Sequence, residues 1–531
     1  LETLLTIVSQ PEGSLKMLRI EDLSPLTEIA TQDPLVLDIM AFTWTNASTA
    51  SIEVLAVRNS IDKIIPALLV VFKGTDAVTL INFIGSFVPK LIPEVSLHLP
   101  KILHHSTDSN KALPQRPKWL ASLILILRKL VASRPTLAGR ASYTQLAAAL
   151  LQVYPESCPS LLFKTDTPGN ADSKPFSYLF INLILIDLRS SFPSLLAQIN
   201  STEYPATSQR LAAAFDVVSS FIGFLVRSLD EEANQPRFTM PPDLLLKLRK
   251  DIAETMSLTI EYLRDRWDAS IAGASGLHPS ARAGTAATSE GTRLTLTWES
   301  MKDDVNADPL ILAGIRAFAI WIREDENENL RNESAGLMDM FIELYKTSAL
   351  GLLQFRYPIL LAFEGIMVTE DGVDGFLGQD GWQVLFEDLQ SILRHTTTNE
   401  PIFNHVNTLA EASRGLEIIR VLLAVVDHTL TISPREDWMT TITTTASLKP
   451  PSSVSDPLIL ELHIAMLQLS TALLSKAARG MQKRYVTSNA ALSGLAQQLE
   501  TLVNGLDDKS EAIEFISLLE GVALDLENLR F

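Results

Sequence analysis

The residues from Leu310 to Tyr345 read LILAGIRAFAIWIREDENENLRNESAGLMDMFIELY, and Glu324–Glu328 places four carboxylates within five positions. Carboxylates this dense are the raw material of a hard-cation site or a general acid–base pair. A calcium loop of the EF type needs oxygen ligands at alternate positions, a glycine at the turn and a closing bidentate Glu, and the run does not follow that pattern. The stretch TEDGVDGFLGQDGW, Thr369–Trp382, comes nearer with Asp371, Asp374 and Asp380, but Val373 and Gly375 stand where ligands are required. It reads as a glycine-rich connection between helices.

The other reactive residue types are scattered. Of the eight histidines (His98, His104, His105, His278, His395, His405, His428 and His463), only His104 and His105 are adjacent, and neighbours in a helix face different ways. No Cys or second His stands at zinc-ligand spacing. Cys158 lies between Ser157 and Pro159 with no basic neighbour to lower its pKa, so it reads as a structural thiol. Ser60-Ile61-Asp62-Lys63 fits S-x-x-K but lacks the S-D-N and K-T-G partners of that chemistry. There is no G-x-S-x-G elbow, and the dipeptide Gly-Lys of a phosphate loop never occurs. None of the seven tryptophans is followed by Asn four residues later, which argues against a nuclear-signal groove. On these grounds no catalytic residue, cofactor-binding residue or metal ligand is assigned, and the chain is expected to be non-enzymatic and without a cofactor.

The elements that carry these residues are helices. Asp308-Pro309 has the form of a helix start, with Asp as cap and Pro where its missing N–H costs nothing. Ile311, Ile315, Phe318 and Ile322 then recur on one face, and Leu330, Leu337, Phe341, Leu344 and Tyr345 form the stripe of a second helix. Between them Asp325 and Glu328 resemble a capping box, which makes the acidic run a capped turn of a helix hairpin. Further helices are predicted near Ile52–Phe72, Ala77–Ile92, Lys118–Ala132, Tyr143–Val153, Ser177–Ile199, Ser208–Ser228 and Asp243–Trp267. Others follow near Phe355–Met367, Trp382–Leu393, Ile402–Leu430, Pro457–Arg479, Leu492–Val503 and Glu511–Leu529. No long segment alternates as a strand would, and no clean repeat period stands out.

Bulk properties fit that picture. A chain of 531 residues exceeds what one compact core accommodates, unless the core grows along one axis as in a repeat array. Hydrophobic content of 47% excludes a disordered chain. A net charge of −18 argues against nucleic acid and against an anionic membrane surface. The single cysteine excludes an internal disulfide and fits a reducing compartment, so a cytoplasmic location is expected. The run Phe176–Leu188, FSYLFINLILIDL, is shorter than a span of about 20 residues and is followed by Arg189, so no membrane span is expected. The chain opens at Leu1 inside a helical pattern (Leu4, Leu5, Val8), from which preceding residues are expected. The expected class is therefore all-α, an armadillo/HEAT-like α-solenoid of irregular helical hairpins. Residues 1–267 and 298–531 would be its two parts, with 268–297 (its Ala272–Leu294 core rich in Gly, Ala, Ser and Thr) a flexible insertion loop.

Several stretches together resemble one family. They are EYLRDRWDASIAGASGLHPSAR (Glu261–Arg282), LTWES (Leu296–Ser300), DPLILAGIRAFAIWIREDENENLRNESAGLMDMFIELY (Asp308–Tyr345), MLRIEDLSPLTEIATQDPLVLDIMAFTW (Met17–Trp44) and FRYPILLAFEGIMVTEDGVDGFLGQDGW (Phe355–Trp382). These are similar to fungal members of the neurochondrin family. The resemblance implies a cytoplasmic, armadillo-like helical protein that works by binding others. The expected function is a scaffold or adaptor for a protein partner, more readily a monomer than an obligate oligomer. The alternative is an armadillo-like chaperone or exchange factor for a GTPase or G-protein α subunit, engaged through acidic surface.

Overall fold

The computed structural model describes residues 1–49, 54–91, 113, 117–133, 135–164, 174–199, 201–229, 240–271, 305–348, 353–397, 405–428, 434–450, 457–506 and 508–529. Among them there are helices and turns but no strand, and the contacts divide the chain into two units. The first consists mainly of Leu1–Leu99 and His105–Trp321, the second mainly of Ile322–Ala349 and Phe355–Phe531. Each is a two-layered stack of helices of the armadillo/HEAT-like kind. Of the expected insertion 268–297, only the end of helix Pro242–Ile271 falls in the described residues.

In the first unit, helices Ala77–Phe87, Leu137–Val153 and Tyr204–Leu229 lie side by side, while Phe176–Gln198 and Pro242–Ile271 pair in a second layer. The core between them is aromatic and aliphatic. Phe163 meets Phe221 edge-on at 5.1 Å, and Trp44 packs on Phe87 at 5.0 Å. Such pairs add about 0.5–1.5 kcal/mol each beyond the burial of their area.

Helix Phe176–Gln198 matches the helix predicted near Ser177–Ile199 and continues past the apolar run that ends at Leu188. It runs on through Asp187 and Arg189 because both charges are compensated along its flank. Asp187 accepts from Arg210 of the following helix, and Arg189 pairs with Glu254 at 2.9 Å and Asp251 at 3.6 Å. The length argument against a span therefore does not hold for the full helix. Three described helices, Phe176–Gln198, Tyr204–Ser228 and Pro457–Lys476, are long and apolar enough to cross a membrane by length and composition. Each also buries side chains against neighbouring helices.

In the second unit, helices Arg356–Ile366, His405–His428, Pro457–Lys476 and Lys509–Asn528 follow one another in one layer, with Gly381–Thr397 and Val486–Val503 packed against them. Trp382 stacks on Trp438 at 4.3 Å, and Phe363 meets Phe376 at 5.4 Å. One carboxylate ties three of these helices to a fourth, Met338–Thr347. Asp388 accepts from Tyr345 Oη at 2.6 Å, Arg356 Nη1 at 3.0 Å and Arg414 Nε at 3.0 Å, and its side chain is only 9% exposed.

The stripe residues of the opening segment are buried as their spacing predicts, but its caps and breaks differ. The second helix is two, Glu328–Ala335 and Met338–Thr347, interrupted at Gly336 and Leu337. Its first cap is Asn327, whose Oδ1 accepts from the amides of Asn329 (3.1 Å) and Leu330 (3.4 Å). Because helical geometry begins at Glu328, that residue occupies the first helical position, where it cannot close a capping box. Asp325 is instead buried, and its carbonyl accepts from Arg331 Nη2 at 3.0 Å.

The second correction falls on Thr369–Trp382. Glu370–Gly378 is a helix, capped by Thr369 Oγ1, which accepts from Gly372 N at 3.2 Å. Gly372 permits this start, because a Cβ there would stand 2.2 Å from the carbonyl oxygen of Ile366. The connection is only the turn Gln379–Asp380, with Asp380 at φ 56°, a left-handed geometry that Asp tolerates better than most residues.

Removing the Asp388 carboxylate leaves two largely buried guanidinium groups without their counter-charge. Asp388→Ala is expected to lower the stability of the full chain by about 3 kcal/mol, and Asp388→Asn, which keeps an acceptor for Tyr345, by less. Urea unfolding midpoints of the two variants check this; equal, negligible shifts would show that Asp388 does not hold the layer together.

Candidate functional site

The residues singled out for chemistry are apart from one another. Glu324, Glu326 and Glu328 are exposed at helix ends, and Asp371, Asp374 and Asp380 are exposed along one helix and its turn. Among the described residues, no three His, Cys, Asp or Glu side chains stand close enough to hold a metal ion. Ser60 Oγ accepts from Trp44 Nε1 at 3.0 Å while Lys63 Nζ donates to the carbonyl of Glu21, so each is engaged elsewhere. Cys158 is buried, and burial pushes its thiol well above the ordinary range. His463 is buried with Nδ1 2.7 Å from the carbonyl oxygen of Ile459. His98, His104, His105 and His278 lie outside the described residues.

What the first unit does build is a groove of about 650 Å³. Its walls come from the three side-by-side helices and from the segment leading into helix Pro309–Glu324. The local sequences explain its form. Helix Leu137–Val153 carries QLAAALLQ from Gln145 to Gln152, and helix Tyr204–Leu229 carries QRLAAAFD from Gln209 to Asp216. In both, a polar side chain starts the motif, alanines follow at three and four positions on, and a polar side chain closes it at seven. Those offsets share one helix face. Gln145, Ala148, Ala149 and Gln152 accordingly line the groove, as do Gln209, Ala212, Ala213 and Asp216.

The two copies meet in register, since Gln152 Nε2 donates to Asp216 Oδ2 at 2.5 Å. The other oxygen of Asp216 receives Arg316 Nη1 at 2.8 Å. On helix Ala77–Phe87 the same offsets hold Asn82, Gly85 and Ser86, and the last two line the groove. A Cβ on Gly85 would stand 3.0 Å from the backbone nitrogen of Leu146, so the small residue is what allows these helices to approach. The interval from Asn82 to Gln145 is one residue shorter than that from Gln145 to Gln209. This near-constant spacing is an internal repeat that the hydrophobic pattern alone does not reveal.

At one end of the groove Asp308 accepts from Ser208 Oγ at 2.7 Å, from Leu310 N at 3.0 Å and from Tyr204 Oη. Tyr204 Oη lies 3.3 Å from Tyr262 Oη. Burial, reinforced by the charge of Asp308, pushes both phenols above their ordinary range, which keeps them as protonated donors. The groove's carboxylates are thus committed to internal partners. Gln145 and Gln209, by contrast, have no hydrogen-bond partner among the described residues. The site offers shape and neutral hydrogen-bonding groups, with Lys90 and Arg266 as its cations.

A second polar cluster lies in the other unit, where Glu364 of helix Arg356–Ile366 faces Glu417 of helix His405–His428. Glu364 Oε1 and Glu417 Oε2 are buried without an acceptor's usual donor. Burial, then the hydrogen bond to Glu417 and its charge, raise Glu364 to about 7 against the opposing charges of Arg420 and Arg323. Two carboxylates cannot bond to each other, but a proton on Glu364 supplies the missing donor. Arg420 Nη1 holds the other oxygen of Glu417 at 2.9 Å.

Together the layered helices define a helical-repeat protein. The family model for Neurochondrin matches residues 1–519, and the chain belongs to that family. It is also similar to an uncharacterized protein of Schizosaccharomyces pombe, 20% identical over 214 residues that make up 40% of this chain. The matched region is 33% of that relative, so the chain spans about a third of its length. No solved structure matches.

The raised acid gives a defined pH dependence. Because Glu364 holds its proton more tightly folded than unfolded, its contribution is full below its ordinary carboxyl range and is lost as pH rises through about 7. Melting temperatures measured from pH 5 to pH 8 should fall less for Glu364→Gln than for the parent chain. Parallel curves would show that this pair does not titrate as a unit.

Proposed function

We propose that this chain is a non-enzymatic helical-repeat scaffold that binds a protein partner in the cytoplasm, with the first unit's groove as its docking surface. The observation that carries the reading is the groove's composition. Its carboxylates are committed to internal partners, whereas the amides of Gln145 and Gln209 and a row of alanines face the cavity. A hydrolytic site would instead require a free nucleophile or an acid–base pair within reach of the cavity. Membership in the Neurochondrin family supports the scaffold reading at the level of fold.

A narrower role as chaperone or exchange factor for a GTPase rests on the net charge of −18 alone. The groove itself carries Lys90 and Arg266 beside Asp216 and Asp308, so its charge is mixed, and the general scaffold is the better supported reading.

Filling the groove tests it. Gln145→Trp combined with Gln209→Trp places two large rings at lining positions outside the core. Affinity purification from cytosol with quantitative mass spectrometry, parent against double variant, should show one or a few proteins depleted about tenfold or more, the equivalent of about 1.4 kcal/mol. Identical recoveries from two equally stable proteins would move the docking surface elsewhere.

A further inference from the structure

The connector between helices Pro457–Lys476 and Val486–Val503 carries a charge opposite to that of the chain as a whole. From Leu462 to Leu499 there is no Asp or Glu, although the sequence holds 62 of them. The Lys and Arg side chains of this interval are all gathered at Lys476, Arg479, Lys483 and Arg484. Two of them are used internally. Lys476 donates to the carbonyl of Val426 in the last turn of helix His405–His428 and pairs with Asp427 at 3.3 Å, and Arg484 pairs with Glu436 at 2.6 Å. Cations beside helix C-termini commonly serve the helix dipole in this way. Arg479 and Lys483 do not. Both are exposed, and neither side chain has a hydrogen-bond or ion-pair partner among the described residues.

We propose that the face formed by Arg479, Lys483 and Val486 docks an acidic segment of a partner protein, held extended with its carboxylates at alternate positions. This surface lies in the second unit and is independent of the groove in the first.

The local geometry favours that occupant. Arg479 and Lys483 stand four residues apart in successive helical turns, Arg479–Gln482 and Lys483–Tyr485, which sets their Cβ atoms about 6 Å apart on one face. Alternate side chains of an extended chain point the same way and recur at about 6.6 Å, so two carboxylates separated by one residue meet both cations at once. Val486, three residues beyond Lys483 and 46% exposed, continues that face with an apolar contact. The ground beside the cations is open, since a Cβ on Gly480 would meet nothing within 4 Å. The connector is also anchored, because Gln482 Nε2 donates to the carbonyl of Leu474 at 2.9 Å.

Other anionic occupants fit less well. A lipid surface calls for about four to eight clustered cations, and a nucleic acid for several that release counterions. Arg479 and Lys483 alone fall short of both. A large polyanion also meets the net charge of −18, whereas a short peptide senses only the charges within about one screening length, roughly 8 Å.

The probe is a fluorescently labelled peptide of five Glu-Ser repeats, its Kd for the full chain measured by anisotropy at low and at physiological salt. Binding is expected at low salt and weakens as salt rises. Arg479→Gln and Lys483→Gln should each weaken it about two- to fivefold, the range of one exposed ion pair, and Arg479→Glu combined with Lys483→Glu about tenfold or more. Lys118→Glu combined with Lys129→Glu makes the same change in net charge on exposed lysines of the first unit, and should leave the affinity within about twofold. A peptide of five Glu-Ser-Ser repeats has the same charge but turns successive carboxylates to opposite sides, and should bind about threefold or more weakly. The Gln145→Trp/Gln209→Trp variant should bind the first peptide as the parent does, which separates this surface from the groove.

Absence of binding at low salt, equal losses in the two charge-reversed variants, or equal affinity for the two peptides overturns the proposal. So does co-sedimentation with phosphatidylserine vesicles that is lost in the Arg479→Glu/Lys483→Glu variant while the peptide fails to bind, which would assign the face to lipid. Sedimentation velocity in which the same substitutions dissolve a self-associated parent would assign it instead to another copy of the chain, and the partner-protein proposal would fall.

Discussion

A carboxylate buried between stacked helices must be matched by donors from its neighbours, and this requirement governs both units of the chain. Asp308 shows the effect most fully. It starts helix Pro309–Glu324 by accepting the amide of Leu310, and the same side chain accepts hydroxyls from Tyr204 and Ser208. One residue thereby sets where a helix begins and which earlier helix it stands against. Asp216 and Asp388 do the equivalent work, each drawing partners from two or more helices. A helix displaced by one turn would leave an uncompensated charge inside, so these contacts discriminate between registers that apolar packing alone would tolerate.

The groove follows from that fixed register combined with small side chains. Alanines at matching positions let adjacent helices present a smooth floor, and the polar residues that open and close each motif then line up. Gln152 and Asp216 use their alignment to hold the helices together. Gln145 and Gln209 occupy the other end of the same motifs and remain uncommitted. The same sequence pattern therefore supplies a structural tie at one end and a groove-lining amide at the other.

The legibility of the sequence divides along these lines. The helical class, the Asp308-Pro309 start and the buried stripe from Ile311 to Ile322 follow from periodicity and capping chemistry, and the structure has them. Local competition obscured finer features. Asp325, Asn327 and Glu328 are all plausible cap partners, and only the backbone geometry selects Asn327. The glycines of Glu370–Gly378 suggest a loop, yet Gly372 is present for close approach inside a helix. The groove escaped because QLAAALLQ and QRLAAAFD are ordinary helix sequences in isolation. Their meaning lies in a recurrence many residues apart, and in which helices tertiary packing brings together.

Cys158 has a consequence of a different kind. It is the chain's single thiol, and it lies fully enclosed at the start of helix Cys158–Leu162. An alkylating reagent can reach it only when the surrounding helices part, so the rate of its modification reports how often the first unit opens. The protein thus contains its own clock for internal breathing, readable in the native chain without introducing a probe.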